Sequence, residues 1–210
     1  MKTKLFGLLV LAAGCFALPV SAEPVISSFS GGSSYGIYYG GSSGDMVGFS
    51  FTADTDLTVT DLGVMNDPVD GILDSAHMVG LWDATSLSLL ASVLVDSDDS
   101  LLDGFFYASL GAAVNLAEGN RYLLAALYTA NDGDSYTSMP VSVDSLYISE
   151  TRGVFPVAQD LGFQIPGNTS DSLARFGANM LAAPTIVEPG TLLLLGLGLI
   201  GVSAVRRPKR

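Results

Sequence analysis

The single histidine, His77, limits the acid–base and nucleophilic chemistry open to this 210-residue chain. A serine–histidine–aspartate mechanism would have to use His77. Zinc sites usually draw on several histidine or cysteine ligands, and the chain has one of each. His77 immediately precedes the apolar run 78–82, so we predict a histidine at the start of a buried strand.

The carboxylates offer a second kind of chemistry, because two acids held at a set separation can cleave a glycosidic bond. The chain has twenty-one acidic residues, and nothing in their spacing selects a pair. Most are aspartates in turn sequences, where the side chain bonds to the local backbone. We therefore predict that the protein is not an enzyme.

Calcium is the cofactor that the sequence admits, although none is required. The stretch 96–104, DSDDSLLDG, places several hard oxygen ligands in one loop, which suits calcium. It is not an EF-hand, because Leu101 takes the sixth place of the loop and Tyr107 the twelfth. Asp96, Asp98 and Asp103 are the candidate ligands, and a solvated acidic turn is the alternative.

Four aromatic residues could stack on sugar rings. Tyr35, Tyr38 and Tyr39 lie in the Gly/Ser-rich segment 30–45, which reads as a connector or a loose hairpin, and Trp82 lies in the run 78–82. An aromatic face matches the apolar face of a pyranose. The alternative is that these rings pack against the protein's own sheets.

The rest of the body of the chain, which we define as residues 23–180, is predicted to form short strands. Apolar residues alternate with polar ones in 47–52, and a phase change between 57–60 and 62–64 predicts a bulge. Further strands are predicted at 78–82, 87–95, 105–110, 114–116, 122–129 and 141–148. Turn sequences rich in Gly, Asp and Asn separate them, which indicates an all-β fold, an antiparallel β-sandwich of jelly-roll type.

The N-terminus has the pattern of a secretory signal peptide. Lys2 and Lys4 precede the apolar run 5–16, and small residues at 20–22 predict cleavage between Ala22 and Glu23. A lipoprotein signal at Cys15 is the alternative. If Cys15 leaves with the signal, the mature chain contains no cysteine.

The body is strongly acidic. Between residues 23 and 180 the chain has twenty acids against three arginines, a net charge of −17. Nucleic-acid binding depends on neutralising phosphates, so we predict no nucleic-acid partner. High negative charge also keeps an exported domain soluble.

The C-terminus combines an apolar run with a basic end. Residues 191–205 would span roughly 22 Å as a helix, short for a bilayer that needs about 20 residues. The basic residues at 206–210 should stay cytoplasmic. Since Lys2 and Lys4 are predicted to stay there too, everything between the two ends is predicted to cross the membrane, with 191–205 as a short transmembrane anchor.

This tail resembles the PEP-CTERM sorting signal. The resemblance rests on Glu188-Pro189, the Leu/Gly-rich run and the cluster containing Arg206 and Arg207, while Val187 stands where the motif usually has proline. It implies recognition by an exosortase, a membrane protease of Gram-negative bacteria whose substrates are often linked to exopolysaccharide or biofilm.

These observations together predict four parts: a signal peptide (1–22), a Gly/Ser-rich segment (23–45), a β-sandwich (46–182) and a sorting tail (183–210). We predict an exported, non-catalytic protein of the cell surface or extracellular matrix, carried by Sec-type export machinery and held in the inner membrane during transit. A carbohydrate-binding module, with or without calcium, is the first alternative, and a hydrolase is the second.

Overall fold

The computed structural model describes residues 21–35, 42–67, 69–130, 132–173 and 175–185. All regular elements in these ranges are β-strands in antiparallel sheets with a curled, sandwich-like arrangement, which confirms the predicted fold class. The strands are β1 (Glu23–Pro24), β2 (Ile26–Tyr35), β3 (Asp45–Ala53), β4 (Leu57–Met65), β5 (His77–Asp83), β6 (Leu89–Val95), β7 (Ser100–Leu102), β8 (Phe105–Leu116), β9 (Arg121–Tyr128), β10 (Tyr136–Ser145), β11 (Ile148–Phe155), β12 (Asn168–Thr169), β13 (Arg175–Phe176) and β14 (Ala178–Pro184).

Three sheets enclose one main core. A five-stranded sheet has the order β1-β14-β4-β8-β7, and a six-stranded sheet has the order β12-β11-β3-β9-β5-β6. The third sheet, β13-β10-β2, packs on the same core through two rings: the Phe29 centroid lies 6.1 Å from that of Phe105 in β8, and the Phe176 centroid lies 6.0 Å from that of Phe49 in β3. The core is built from apolar side chains of both large sheets, so neither sheet could bury its inner face alone.

Strand β3 lies in the middle of the six-stranded sheet and is buried on both faces. Phe49 and Phe51 point into the main core, whereas Met46 joins a second apolar cluster on the outer face. Gly48 allows the neighbouring strand β9 to approach, because a Cβ at this position would lie 2.0 Å from the Leu124 carbonyl oxygen.

The predicted bulge in β4 is present. Its pairing with β8 shifts register between Val59 and Asp61, at the point where the hydrophobic phase changes. Residues 105–116 form one strand, β8, where the sequence predicts two. The predicted strand 141–148 is instead divided between β10 and β11, and Tyr147 takes a left-handed backbone conformation with φ of 65°.

Segment 23–45, which its composition separated from the sandwich, contributes strands to two of the sheets. β1 pairs with β14, and β2 pairs along β10 from Ile26 to Tyr35. The buried amide of Asn179 joins these parts, since it accepts from Ile26 N at 3.1 Å and donates to Ile26 O at 2.9 Å. Strands β1 and β2 of this segment thus belong to the same sheets as strands of the body.

No helix in the described ranges is long and apolar enough to cross a membrane. The predicted signal peptide, the transmembrane helix 191–205 and the sorting residues Glu188, Pro189, Arg206 and Arg207 lie outside the described residues.

Candidate functional site

His77 begins β5 and is buried with an exposed fraction of 1%, as its position before an apolar run predicted. Its Nδ1 lies 2.7 Å from the Leu127 carbonyl oxygen, and its Nε2 lies 2.9 Å from Asp134 Oδ2. Both partners are acceptors, so both ring nitrogens must donate. This geometry favours the charged imidazolium form of His77, paired with the Asp134 carboxylate.

The pKa of His77 reflects two opposing causes. Burial alone lowers it, because a charged ring loses its hydration. The hydrogen bonds to Asp134 and to the Leu127 carbonyl, with the negative charges of Asp134 and Asp132, outweigh burial and raise the net pKa above its ordinary value. Burial raises the pKa of Asp132.

The acids around His77 hold two loops together. Asp134 accepts hydrogen bonds from the backbone amides of Asp74 at 2.8 Å and Ser75 at 2.9 Å. Ser75 Oγ donates to the Asp132 carbonyl oxygen at 2.6 Å. Asp67 accepts from the amide of Ser135 at 2.8 Å. We call this set of Asp67, Ser75, His77, Asp132 and Asp134 the buried polar network; it ties the loop after β4 to the loop after β9.

This network contains a serine, a histidine and an aspartate, but the three do not form a nucleophile relay. The hydroxyl of Ser75 is directed to the Asp132 carbonyl oxygen, and neither nitrogen of His77 is free to take its proton. The ring of His77 also packs against Tyr128, with centroids 4.6 Å apart. The arrangement is suited to locking two loops, and it gives a substrate no access to the histidine.

Of the candidate calcium ligands, Asp96 is used by its own turn. Asp96 Oδ1 accepts from the amide of Asp98, and Asp99 Oδ2 accepts from the amide of Asp96, each at 2.9 Å. Asp103 and Gly104 have φ of 49° and 81°, the left-handed pair of a type I′ hairpin between β7 and β8. Within the described ranges, no group of three or more His, Cys, Asp or Glu side chains is arranged to hold a metal ion.

Trp82 is buried with an exposed fraction of 3%, which favours the alternative that its ring packs within the protein. Its ring lies over Gly80 and packs against Phe163, with ring centroids 5.5 Å apart. Because Gly80 has no side chain, the large indole fits flat on the sheet beneath the loop that carries Phe163. Tyr38 and Tyr39 lie outside the described residues, and only the backbone of Tyr35 is described.

An open groove of about 350 Å³ lies on the outer face of the six-stranded sheet. Ser50, Arg121 and Leu123 are among its lining residues, together with Leu87 and residues 165–167. Arg121 Nη2 donates to Ser50 Oγ at 2.8 Å, and Arg121 Nη1 lies 3.3 Å from Glu150 Oε2. The groove therefore combines apolar walls with the guanidinium of Arg121 and the hydroxyl of Ser50.

None of these features of the sandwich assigns a reaction, and the decisive observation is in the tail. Residues 188–207 match the PEP-CTERM protein-sorting motif. This confirms the resemblance that the sequence showed, and all four predicted sorting residues, Glu188, Pro189, Arg206 and Arg207, fall within the matched segment. No curated protein matches the chain.

The PEP-CTERM motif marks an exported protein that is sorted by an exosortase. Exosortases are membrane proteins, so the motif also implies transit in a membrane-anchored form before processing. The match covers 20 residues of the tail and leaves the role of the sandwich open.

Sequence reasoning missed the partners of His77 and the groove beside Arg121. The sequences Asn66-Asp67 and Asp132-Gly133-Asp134 are typical of turns. Their side chains come together near His77 only through the pairing of strands that are far apart in the sequence. Arg121 was visible only as one of three cations of the body. Its position next to Ser50 follows from the pairing of β3 with β9.

Proposed function

We propose that this PEP-CTERM protein is a non-catalytic component of the cell surface or extracellular matrix. The observation that carries the proposal is the sorting motif at 188–207, which marks an exported protein that is sorted by an exosortase. Presentation of the acidic sandwich outside the cell is then the protein's task.

Two properties of the sandwich support a structural role. The one histidine of the chain is used in the buried polar network, where a substrate has no access to it. The carboxylates around it accept backbone hydrogen bonds and fix loop conformations, which is a folding role.

The proposed route begins with Sec-type export, during which the signal peptide is removed between Ala22 and Glu23. The tail then holds the protein in the inner membrane until an exosortase-like protease cuts near Glu188-Pro189. Release or re-anchoring at the surface follows. The high negative charge of the body keeps the released domain soluble, and association with exopolysaccharide would place it in the matrix.

The intact mass of the mature protein from its producing cells tests this route. We expect a mass that lacks residues 1–22 and the segment beyond about residue 189. A mass that retains Arg206 to Arg210 would show a plain membrane anchor, and processing by an exosortase would be wrong for this chain. A Glu188→Ala, Pro189→Ala variant provides the control, because it should keep its tail while its signal peptide is still removed.

Carbohydrate binding is the second candidate function. The groove at Arg121 is a better candidate site for it than the tyrosines. Its volume of about 350 Å³ lies within the range of small-ligand sites, roughly 300–1,000 Å³. Arg121 can donate to sugar hydroxyls, while Leu87 and Leu123 offer apolar contact. Such a groove would hold a mono- or disaccharide unit of an exopolysaccharide.

A glycan array with and without a calcium chelator tests this candidate. Saturable binding should be lost in Arg121→Ala and should persist in Arg152→Ala, a variant of an exposed arginine that does not line the groove. Chelator should leave binding unchanged, because no aspartate lines the groove. Equal binding by both variants would remove the groove from consideration.

A further inference from the structure

The outer edge of the six-stranded sheet is an open strand. β6 is the last strand of its sheet and pairs only with β5 in the described part of the chain. An unpaired edge presents a row of backbone donors and acceptors to any strand that reaches it. Edge strands are usually blunted by lysine, proline or inward charges. The sequence of β6, LLASVLV, contains none of these. Its pairing with β5 has one bulge, at Leu90, and is regular from Ala91 to Val95.

The exposed side chains along this edge are apolar. Val93 and Val95 face the core, whereas Leu94 is 50% exposed, Leu89 47% and Leu90 37%. β7 follows after a short turn and ends the five-stranded sheet on the same side, where it adds Leu101 and Leu102, also exposed. We call these five exposed leucines the leucine edge.

We propose that the leucine edge binds a second copy of this chain, with the two β6 strands paired antiparallel about Ser92. This register places Leu90 of each copy opposite Leu94 of the other, so that the two exposed leucines on either side of Ser92 cover each other. Because the strand then matches itself, the contact closes into a twofold dimer. The two six-stranded sheets become one continuous sheet, with Ser92 opposite Ser92.

The charge distribution supports a second copy over a basic partner. The body carries a net charge of −17 between residues 23 and 180, and the seven residues of β6 carry none. A basic partner would gain more from the many acidic surfaces than from this uncharged strip. Two copies of an acidic protein repel each other least where neither carries charge.

The size of the edge predicts a weak dimer. Seven residues at about 3.3 Å each give a strip about 23 Å long. With two sheets about 10 Å apart and their side chains, the contact buries roughly 450 Å² per copy, or about 900 Å² in total. Stable interfaces bury about 1,200–2,000 Å². The dimer should therefore form at the high local concentrations of a surface or matrix and dissociate on dilution.

Acidic residues at the two ends of β6 make the contact depend on salt. Asp83 lies next to the beginning of β6, where its amide bonds to the Ser88 carbonyl oxygen, and Asp96 follows the end of the strand. Antiparallel pairing brings Asp83 of one copy toward Asp96 of the other. Added salt screens this repulsion, so dimer formation should increase with ionic strength.

Disulfide trapping of the full chain in its producing cells tests the dimer. In an antiparallel pair, opposite Cα atoms are about 4.5 or 5.5 Å apart, within disulfide range. Ser92→Cys, treated with the thiol oxidant copper–phenanthroline, should therefore give a covalent product of twice the chain mass. The parent chain, with Cys15 alone, and Ser142→Cys, at an exposed position of β10, should give none.

Register and specificity are tested by three further variants. Leu90→Cys and Leu94→Cys should cross-link poorly alone and efficiently when combined in one chain. Leu94→Lys added to Ser92→Cys should abolish the covalent dimer, while Val157→Lys, which alters an equally exposed apolar residue elsewhere, should leave it intact.

Three outcomes would overturn the proposal. Equal cross-linking of Ser92→Cys and Ser142→Cys would indicate random collision, and efficient cross-linking of Leu90→Cys alone would indicate a different register. A Ser92→Cys adduct of any mass other than twice that of the chain would identify another occupant of the edge. All three outcomes are independent of whether the tail is cleaved, so the proposed sorting route stands or falls separately.

Discussion

His77 couples the stability of the protein to pH, because it is buried with two acceptors and a paired carboxylate. Its pKa is raised in the folded state above the value of about 6.5 in the unfolded chain. A group with a raised folded pKa stabilises the fold fully below its unfolded pKa, and this contribution is lost as the pH rises through the folded pKa. His77 therefore stabilises the protein in mildly acidic solution and progressively less in alkaline solution.

Replacement of His77 by glutamine should lower the free energy of unfolding by about 3 kcal/mol near pH 6, because Asp134 would keep its buried charge without its partner. The loss should become smaller as the pH rises above the folded pKa. Chemical denaturation of both proteins from about pH 6 to about pH 9 measures this difference. A constant difference across the range would contradict the assignment of a charged His77.

Tyr128 and Tyr122 form a matched pair of buried tyrosines with opposite hydrogen bonding. Among the described residues, the Tyr128 hydroxyl has no hydrogen-bond partner, whereas Tyr122 Oη accepts from the Ala117 amide at 2.8 Å. Burial raises the pKa of Tyr128 well above its ordinary value, so its hydroxyl stays protonated. The cost of an unpaired buried hydroxyl is paid in the folded state.

Tyr128→Phe should therefore leave the free energy of unfolding unchanged or raise it by up to about 1 kcal/mol, because it removes an unpaired polar group. Tyr122→Phe should lower it by about 1 kcal/mol, because the Ala117 amide loses its acceptor. Urea denaturation of the two variants decides the comparison. A larger loss in Tyr128→Phe than in Tyr122→Phe would show that the Tyr128 hydroxyl is hydrogen-bonded.

At the scale of elements, the β7–β8 hairpin depends on a glycine at its second turn position. Gly104 has φ of 81°, and a Cβ there would meet no atom within 4 Å, so backbone strain alone sets the cost of a side chain. Gly104→Ala should lower the free energy of unfolding by about 1–2 kcal/mol. Gly111 in β8 is equally open and has no positive φ. The melting temperature of Gly111→Ala should equal or exceed that of the parent protein. An equal loss of stability in both variants would show that backbone strain in the hairpin is not the cause.

The same hairpin illustrates what local sequence can and cannot predict. The sequence predicts Asp103 as a calcium ligand, whereas the type I′ turn favours Asp and Gly at 103 and 104 for their backbone conformation. The alternation in 47–52 and the bulge before Leu62 were predictable, because period and phase are local properties. β2 was missed, since its Gly/Ser-rich sequence forms a strand only by pairing with β10, about a hundred residues away.

At the scale of the whole molecule, the export route of the protein can be predicted from the sequence better than its candidate binding site can. The PEP-CTERM tail is a continuous motif, so it was legible without a structure. The buried polar network joins residues 77 and 134, and the groove joins residues 50, 121 and 165, so both depend on sheet order. Sheet order follows from the packing of all strands together, which no local pattern encodes.

The net charge of the body should make the whole sandwich more stable in salt. The chain has twenty acids and three arginines between residues 23 and 180, and the mutual repulsion of the acids opposes the compact state. The screening length falls from about 30 Å at 0.01 M salt to about 10 Å at 0.1 M, so repulsion across the body is largely removed in that range. We expect the melting temperature to rise by several degrees, as measured by circular dichroism at low protein concentration, where the dimer is absent.

Asp98→Lys separates this repulsion from general effects of salt. Asp98 is exposed in the acidic turn beside Asp96 and Asp99, and its backbone amide keeps the bond to Asp96 in the variant. The substitution should raise the melting temperature by about 1 °C at low salt, and the gain should vanish at high salt. Asp96→Asn weakens the acceptor of that turn and should show no such gain. If Asp98→Lys has the same effect at every salt concentration, the turn is stabilised locally and long-range repulsion is not the cause.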